Sequence, residues 1–218
     1  MQDETDQGIR PAGRAPGGLV LVQDLVNTAT LEQYAEHAYP GDLLADLAAA
    51  NRWLDGASAR WAAANAQAPP ALHLAEADLA PLTRFREAVR ALAAGNGEDR
   101  AGIDSEAGAG QGEQPQTAIP LGAASLSLRM DGDGVVRHGT TASGWRGVSA
   151  LVAGEIMLAQ HTGTWSRLKT CRYPVCGVAF YDESRNNSRV WHDVRTCGNR
   201  TNLAASRQRR RAVGATEQ

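Results

Sequence analysis

A chain of 218 residues has room for one ample domain, or for one domain and a small module. Hydrophobic residues make up 43%, aromatics are few and Ala and Gly abundant, which suits Ala-rich helices joined by loops. No apolar run approaches the roughly 18 residues that span a bilayer, so a membrane-embedded role is excluded. The net charge of −2 hides a division: residues 1–166 carry 11 Lys+Arg against 20 Asp+Glu, whereas residues 167–211 carry 11 against 3. An acidic body with a basic C-terminal block implies that only the block meets a polyanion.

Residues 1–18 mix Gly, Pro and charges without periodicity and read as a disordered leader. Met1 to Arg14 lack the apolar core of a secretory signal, which predicts a cytoplasmic protein. Order begins at Leu19-Val20-Leu21-Val22, which reads as the entry into a first helix, although periodicity alone does not fix its type. Asp24, Asn27 and Thr28 follow as a polar group inside an apolar run. They suit either local backbone bonding or the polar wall of a small-molecule pocket. Asp42 can cap a helix with Leu43, Leu44, Leu47 and Leu54 on one face, and Gly56 reads as its stop. Beyond the Pro69-Pro70 break, Leu79, Leu82, Phe85, Val89 and Leu92 space a stronger helix that ends at Gly95-Asn96-Gly97.

Residues 96–118 are rich in glycine and acidic side chains and predict a flexible loop. Leu126, Leu128 and Met130 then alternate with polar residues, and Asp131-Gly132-Asp133-Gly134 turns the chain into Val135-Val136, a β-hairpin pattern. A helix is expected over 145–161. No nucleophile–base set, phosphate loop or dinucleotide fingerprint stands out, and His37, His73, His138 and His161 are isolated. The expectation is a protein that is not an enzyme.

All three cysteines fall in the last quarter, as Cys171, Cys176 and Cys197. With His192 they give the spacing C-x4-C-x15-H-x4-C. Two thiolates on a Pro/Gly turn bite one ion and a second close pair completes a tetrahedron. Three Cys and one His make a closed structural zinc set, with no position left for a reacting water. A segment of about 45 residues needs such a staple, because it cannot bury enough apolar surface alone. Phe180, Tyr181, Val190 and Trp191 are its expected minimal core, separate from that of the larger domain.

These residues carry a resemblance. Cys197-Gly198-Asn199-Arg200, preceded by the cysteine pair, Phe180, the Ser184–Arg189 stretch and Trp191, is similar to the CGNR zinc finger; His192 stands where that family usually has Cys. Leu21 to Thr28 resembles the opening of the ABATE domain that usually precedes this finger. The resemblance implies a stress-responsive transcription regulator that binds DNA, with a small molecule sensed by the N-terminal domain. The fold class expected is α+β: a mainly helical domain with a β-hairpin over 19–165, then a treble-clef-like zinc finger over 167–211 and a tail over 212–218. Zinc would be held by Cys171, Cys176, His192 and Cys197. Arg185, Arg189, Arg195, Arg200, Arg207, Arg209, Arg210 and Arg211, with Asn186 and Asn187, are the expected DNA contacts, since guanidinium forks suit phosphates and guanine edges. Asp24, Asn27 and Thr28 are the expected effector contacts. A homodimer is left open, and so is an enzyme or a protein-interaction adaptor that uses the finger for docking.

Overall fold

The computed structural model describes residues 13–29, 41–97, 125–173 and 175–203. The protein is mixed helix and sheet. Three longer helices surround a short central one, and two small antiparallel hairpins follow at different edges. The first element is helix α1 (Leu19–Val26), in which every residue but Asp24 is buried. An α-helix that is apolar nearly all round has to lie inside the fold. Here α2, α3 and α4 pack against it on different sides.

Asp42 caps a single 3-10 turn at Leu43–Ala45, accepting from the Leu44 N–H at 2.9 Å. Asp46 caps α2 (Leu47–Ala64) through the Ala49 N–H at 2.7 Å. The helix runs straight through Gly56, where a stop was expected. A mid-helix glycine costs only about 1 kcal/mol relative to alanine, and the residues beyond it, Ala57, Ser58, Trp61 and Ala62, bury a further apolar stripe that outweighs this. Helix α3 (Glu76–Gly95) buries Leu79, Leu82, Phe85 and Val89, the periodic set the sequence displays, and ends at Asn96. Leu92 of that set stays exposed.

Strands β1 (Leu126–Met130) and β2 (Val136–Thr140) form the first hairpin, with Leu128 opposite His138. Helix α4 (Gly144–His161) returns across α1 and α3 and buries Val148, Leu151, Val152 and Ala159. The hairpin is fastened to the helices by polar atoms. His138 Nε2 lies 3.0 Å from buried Glu155 of α4, and Gln67 donates to the His138 carbonyl at 3.1 Å. Glu155 also accepts from Trp61 Nε1 at 2.6 Å and Asn65 Nδ2 at 3.2 Å, so the burial of its carboxylate is offset by hydrogen bonds. It lies against Gly18, where a Cβ would come within 1.8 Å of Oε1.

The main core joins Leu21, Leu25, Trp61, Leu82, Phe85 and Leu151, and it also takes in Leu168, Ala179 and Tyr181 from strands β3 (Leu168–Thr170) and β4 (Ala179–Tyr181). The two cores expected to be separate therefore share these three residues. Only Cys171, Cys176, Val178 and Cys197, with Tyr173 and Trp191 packed on them, form a second cluster. The interior gap bounded by Leu21, Leu54, Trp61, Val148 and Leu151 is apolar and too tight for a water molecule.

Candidate metal centre

Strand β3 delivers the chain to Cys171, and a tight turn returns it. The Cys176 N–H donates to the Tyr173 carbonyl at 2.8 Å and the Cys171 N–H to the Val178 carbonyl at 2.9 Å. Gly177 takes a φ of +58°, a left-handed conformation that favours glycine. The second ligand pair is set by Asp193, whose carboxylate accepts from the Arg195 N–H at 2.7 Å, while its carbonyl accepts from the Cys197 N–H at 3.0 Å. The carboxylate is thus engaged in capping the wide turn Val194–Gly198. Gly198 packs under Trp191 and Val194, where a Cβ would meet both side chains at 3.3 Å.

This folding brings one donor atom each from Cys171, Cys176, His192 and Cys197 within 4.8 Å of one another, all four residues buried. His192 Nδ1 lies 3.3 Å from the Cys176 sulfur and 3.7 Å from the Cys197 sulfur, which makes Nδ1 the ligating nitrogen. Tetrahedral zinc with ordinary Zn–S and Zn–N bonds sets such S···N pairs about 3.6 Å apart. The donor set fits zinc in number, type and spacing, and it is closed.

Donor chemistry points the same way. Hydrogen bonding from the Cys176 thiol holds Cys171 down at about 4, although burial opposes this. The hydrogen bond to Cys171 pushes Cys176 up, and burial adds to the rise. Three thiols packed together cannot all ionise on their own. A divalent cation removes the conflict, because each thiolate then faces positive charge.

Beneath the site lies a buried ion pair that the sequence does not reveal. Lys169 Nζ donates to Asp182 at 2.8 Å and to the Asn187 and Arg189 carbonyls at 2.7 and 3.2 Å. Asp182 also accepts from the Ser184 and Arg189 N–H groups. Burial pushes the Asp182 carboxyl up, but the Lys169 and Ser184 hydrogen bonds more than offset this and hold it at about 2. The Ser184–Arg189 loop is therefore wrapped around a fixed charge pair.

Helices α1 and α3 grip the same module. Asn27 reads both backbone groups of Ala179, accepting from its N–H at 2.8 Å and donating to its carbonyl at 3.0 Å, with Gln23 donating to that carbonyl at 3.2 Å. Arg90 donates to the Gly177 carbonyl, next to Cys176, and to the Val26 carbonyl, each at 2.6 Å. Asn96 and Arg172 add bonds across the same boundary. The other two expected effector residues turn to different partners. Asp24 pairs with Arg60 at 2.8 Å, and burial raises its carboxyl despite that pairing. Thr28 donates to the Leu25 carbonyl and accepts from Arg86. The structure thus directs Asp24, Asn27 and Thr28 to three different sets of partners.

The expected DNA contacts also divide. Arg185, Asn186, Arg195 and Arg200 are exposed around the metal cluster. Asn187 is buried with φ +50° and donates to the Ser166 carbonyl at 3.2 Å, so it shapes the loop. Arg189 donates to the His192 carbonyl at 2.9 Å, and its guanidinium stands 5.7 Å from the Phe180 ring centre. Arg207, Arg209, Arg210 and Arg211 lie outside the described residues. Sequence reasoning missed Gln23, Arg90, Lys169 and Asp182. Gln23 alone carried a signal, as a polar residue inside an apolar run.

Residues 167–210 match the family model of the CGNR zinc finger. The match covers the metal module and not the helical body. No curated protein matches the chain.

Proposed function

We propose that this protein is a DNA-binding transcription regulator in which the zinc finger makes the contact and zinc acts as a structural ion. One observation carries the reading: the basic block separates into two classes. Arg167, Lys169, Arg172 and Arg189 bond to carbonyls or a carboxylate of the protein itself. Arg185 and Arg195 are exposed on the scaffold that the metal fixes. Guanidinium groups held on a rigid frame suit base edges, which need fixed geometry, while a basic tail suits phosphates. The reading gives the chain no catalytic role. It also narrows how a small molecule would regulate the protein. Asp24 and Thr28 bond to Arg60, Leu25 and Arg86, and Asn27 bonds to Ala179, which supports an effector that acts through these contacts rather than by filling the tight gap beside Trp61. The Asn27 and Arg90 contacts then carry its effect to the finger.

A salt titration of affinity, on a selected duplex and on a random one, tests the proposal. Affinity falls steeply with salt as counterions are released. Arg185→Ala or Arg200→Ala costs about 1–3 kcal/mol on the selected site and relaxes preference there. Arg209→Ala or Arg210→Ala weakens both duplexes alike and lowers the salt slope by roughly one. Binding that ignores salt, or no binding at low salt, refutes it.

A further inference from the structure

Strand β1 carries an apolar row that the rest of the described residues do not cover. Leu126, Leu128 and Met130 alternate along it, with Leu128 73% and Met130 69% exposed. Val136, opposite Met130, is 54% exposed. The row is on the face that looks toward the helices. Leu126, at one end, lies where a Cβ on Gly154 would be 3.0 Å away, and His138, opposite Leu128, reaches Glu155. Strand β1 therefore overhangs the body. One turn beyond Gly154 on α4, exposed Met157 and Leu158 continue the apolar surface. Among the described residues β1 pairs with β2 alone, and no described strand lies along its outer edge. Edges of this kind are normally shortened, charged or covered, and contiguous apolar surface on a polar body marks an interface.

We infer that this edge is the interface for a second copy of the chain, formed by two-fold antiparallel pairing of β1 with β1. Self-complementarity argues for that occupant. If all five residues of the strand are to pair, the two-fold axis has to pass through Leu128. Leu126 then faces Met130 of the partner, Leu128 faces Leu128, and Ser127 faces Arg129. Apolar residues meet apolar ones on one face. On the other, each Arg129 sits across from a serine and not from the other Arg129, so no like charges are opposed. The result is a four-stranded sheet bridging two bodies, with six apolar side chains filling the space between them. Two fingers are then presented by one symmetric particle.

Sedimentation of the zinc-loaded full-length protein tests the interface. The protein sediments as a dimer at tens of micromolar, and Leu128→Asp raises the dissociation constant by about 100-fold or more, because the axis brings two carboxylates together. Two cysteine variants test the register. Directly opposed residues have Cβ atoms about 4.5–5.5 Å apart, close to disulfide reach. Under mild oxidation Leu128→Cys forms a covalent dimer, whereas Met130→Cys does not, since its two copies lie four residues out of step. A monomeric wild type at about 100 µM overturns the inference, as expected if another part of this chain covers the edge. A dimer indifferent to Leu128→Asp, or equal crosslinking by the two cysteine variants, overturns it as well.

Discussion

Asn27→Ala should destabilise the body and the metal module together. Asn27 supplies two hydrogen bonds to Ala179, at 2.8 and 3.0 Å, on the side of β4 that faces α1. Each bond contributes about 1 kcal/mol net, and an N–H left buried and unsatisfied costs a further 1–3 kcal/mol or so. Ala179 is fully buried. Its carbonyl keeps the Gln23 donor, so the N–H carries the larger loss. Counting only the lost N–H bond and its desolvation, the cost is roughly 2–4 kcal/mol, a large part of the stability of an ordinary domain. Urea unfolding is followed by helical circular dichroism and, in parallel, by zinc release to a chromophoric chelator. Both transitions should move to lower urea by the same amount, while Arg185→Ala, on the exposed loop, moves neither by more than about 0.5 kcal/mol. A change below about 1 kcal/mol, or a shift in zinc release with the helical transition unmoved, would refute the reasoning.

Further outcomes follow from the site. Elemental analysis should find one zinc per chain, and Cys176→Ser should abolish it. Chelation should lower the melting temperature of the helices themselves, because Leu168, Ala179 and Tyr181 belong to the main core; calorimetry with and without chelator reads this, and an unchanged helical transition counts against a shared core. The Asp182 carboxyl sits at about 2, below its ordinary 3.8. The stability it supplies is complete above about pH 4 and is lost as pH falls toward 2. The difference in urea midpoint between wild type and Asp182→Asn should shrink over that window, and a constant difference would remove the Lys169 pairing from the account.

The metal site was legible because coordination chemistry is local. A tetrahedron of about 4 Å edge needs paired donors on tight turns, and Cys171 to Cys176 and His192 to Cys197 display such pairs. Helices α3 and α4 and the first hairpin were legible from their periods. The helix at α1 was also read correctly, although periodicity alone did not fix its type, since four branched residues suit a buried helix as well as a strand. Gly56 misled because tertiary burial outweighs propensity. Asp24, Asn27 and Thr28 at the end of α1 were noticed, but the partners of Asp24 and Asn27 lie farther along the chain. Asn27 meets Ala179 at a separation of 152 residues, and no local pattern encodes that. Thr28 does close onto Leu25, the local bonding that sequence reasoning also offered. Lys169 reads as one more cation of a basic block until Asp182 is placed beside it.

The contacts between body and finger have a consequence for regulation. Arg90 touches the carbonyl next to a zinc ligand and the last residue of α1 with two nitrogens of one planar group. A guanidinium cannot keep both bonds if α1 and the knuckle move apart, so a displacement of either is felt by the other. Glu87 pairs with Arg90 and with Arg86, and Arg86 holds Asp42 and Thr28. Two arginines on α3 thus join the cap of the Leu43–Ala45 turn, the end of α1 and the metal knuckle in one chain of charged bonds. Linkage makes such coupling reciprocal. Whatever alters the surface around Asp42 and Glu87 alters the zinc knuckle by the same free energy with which zinc alters that surface.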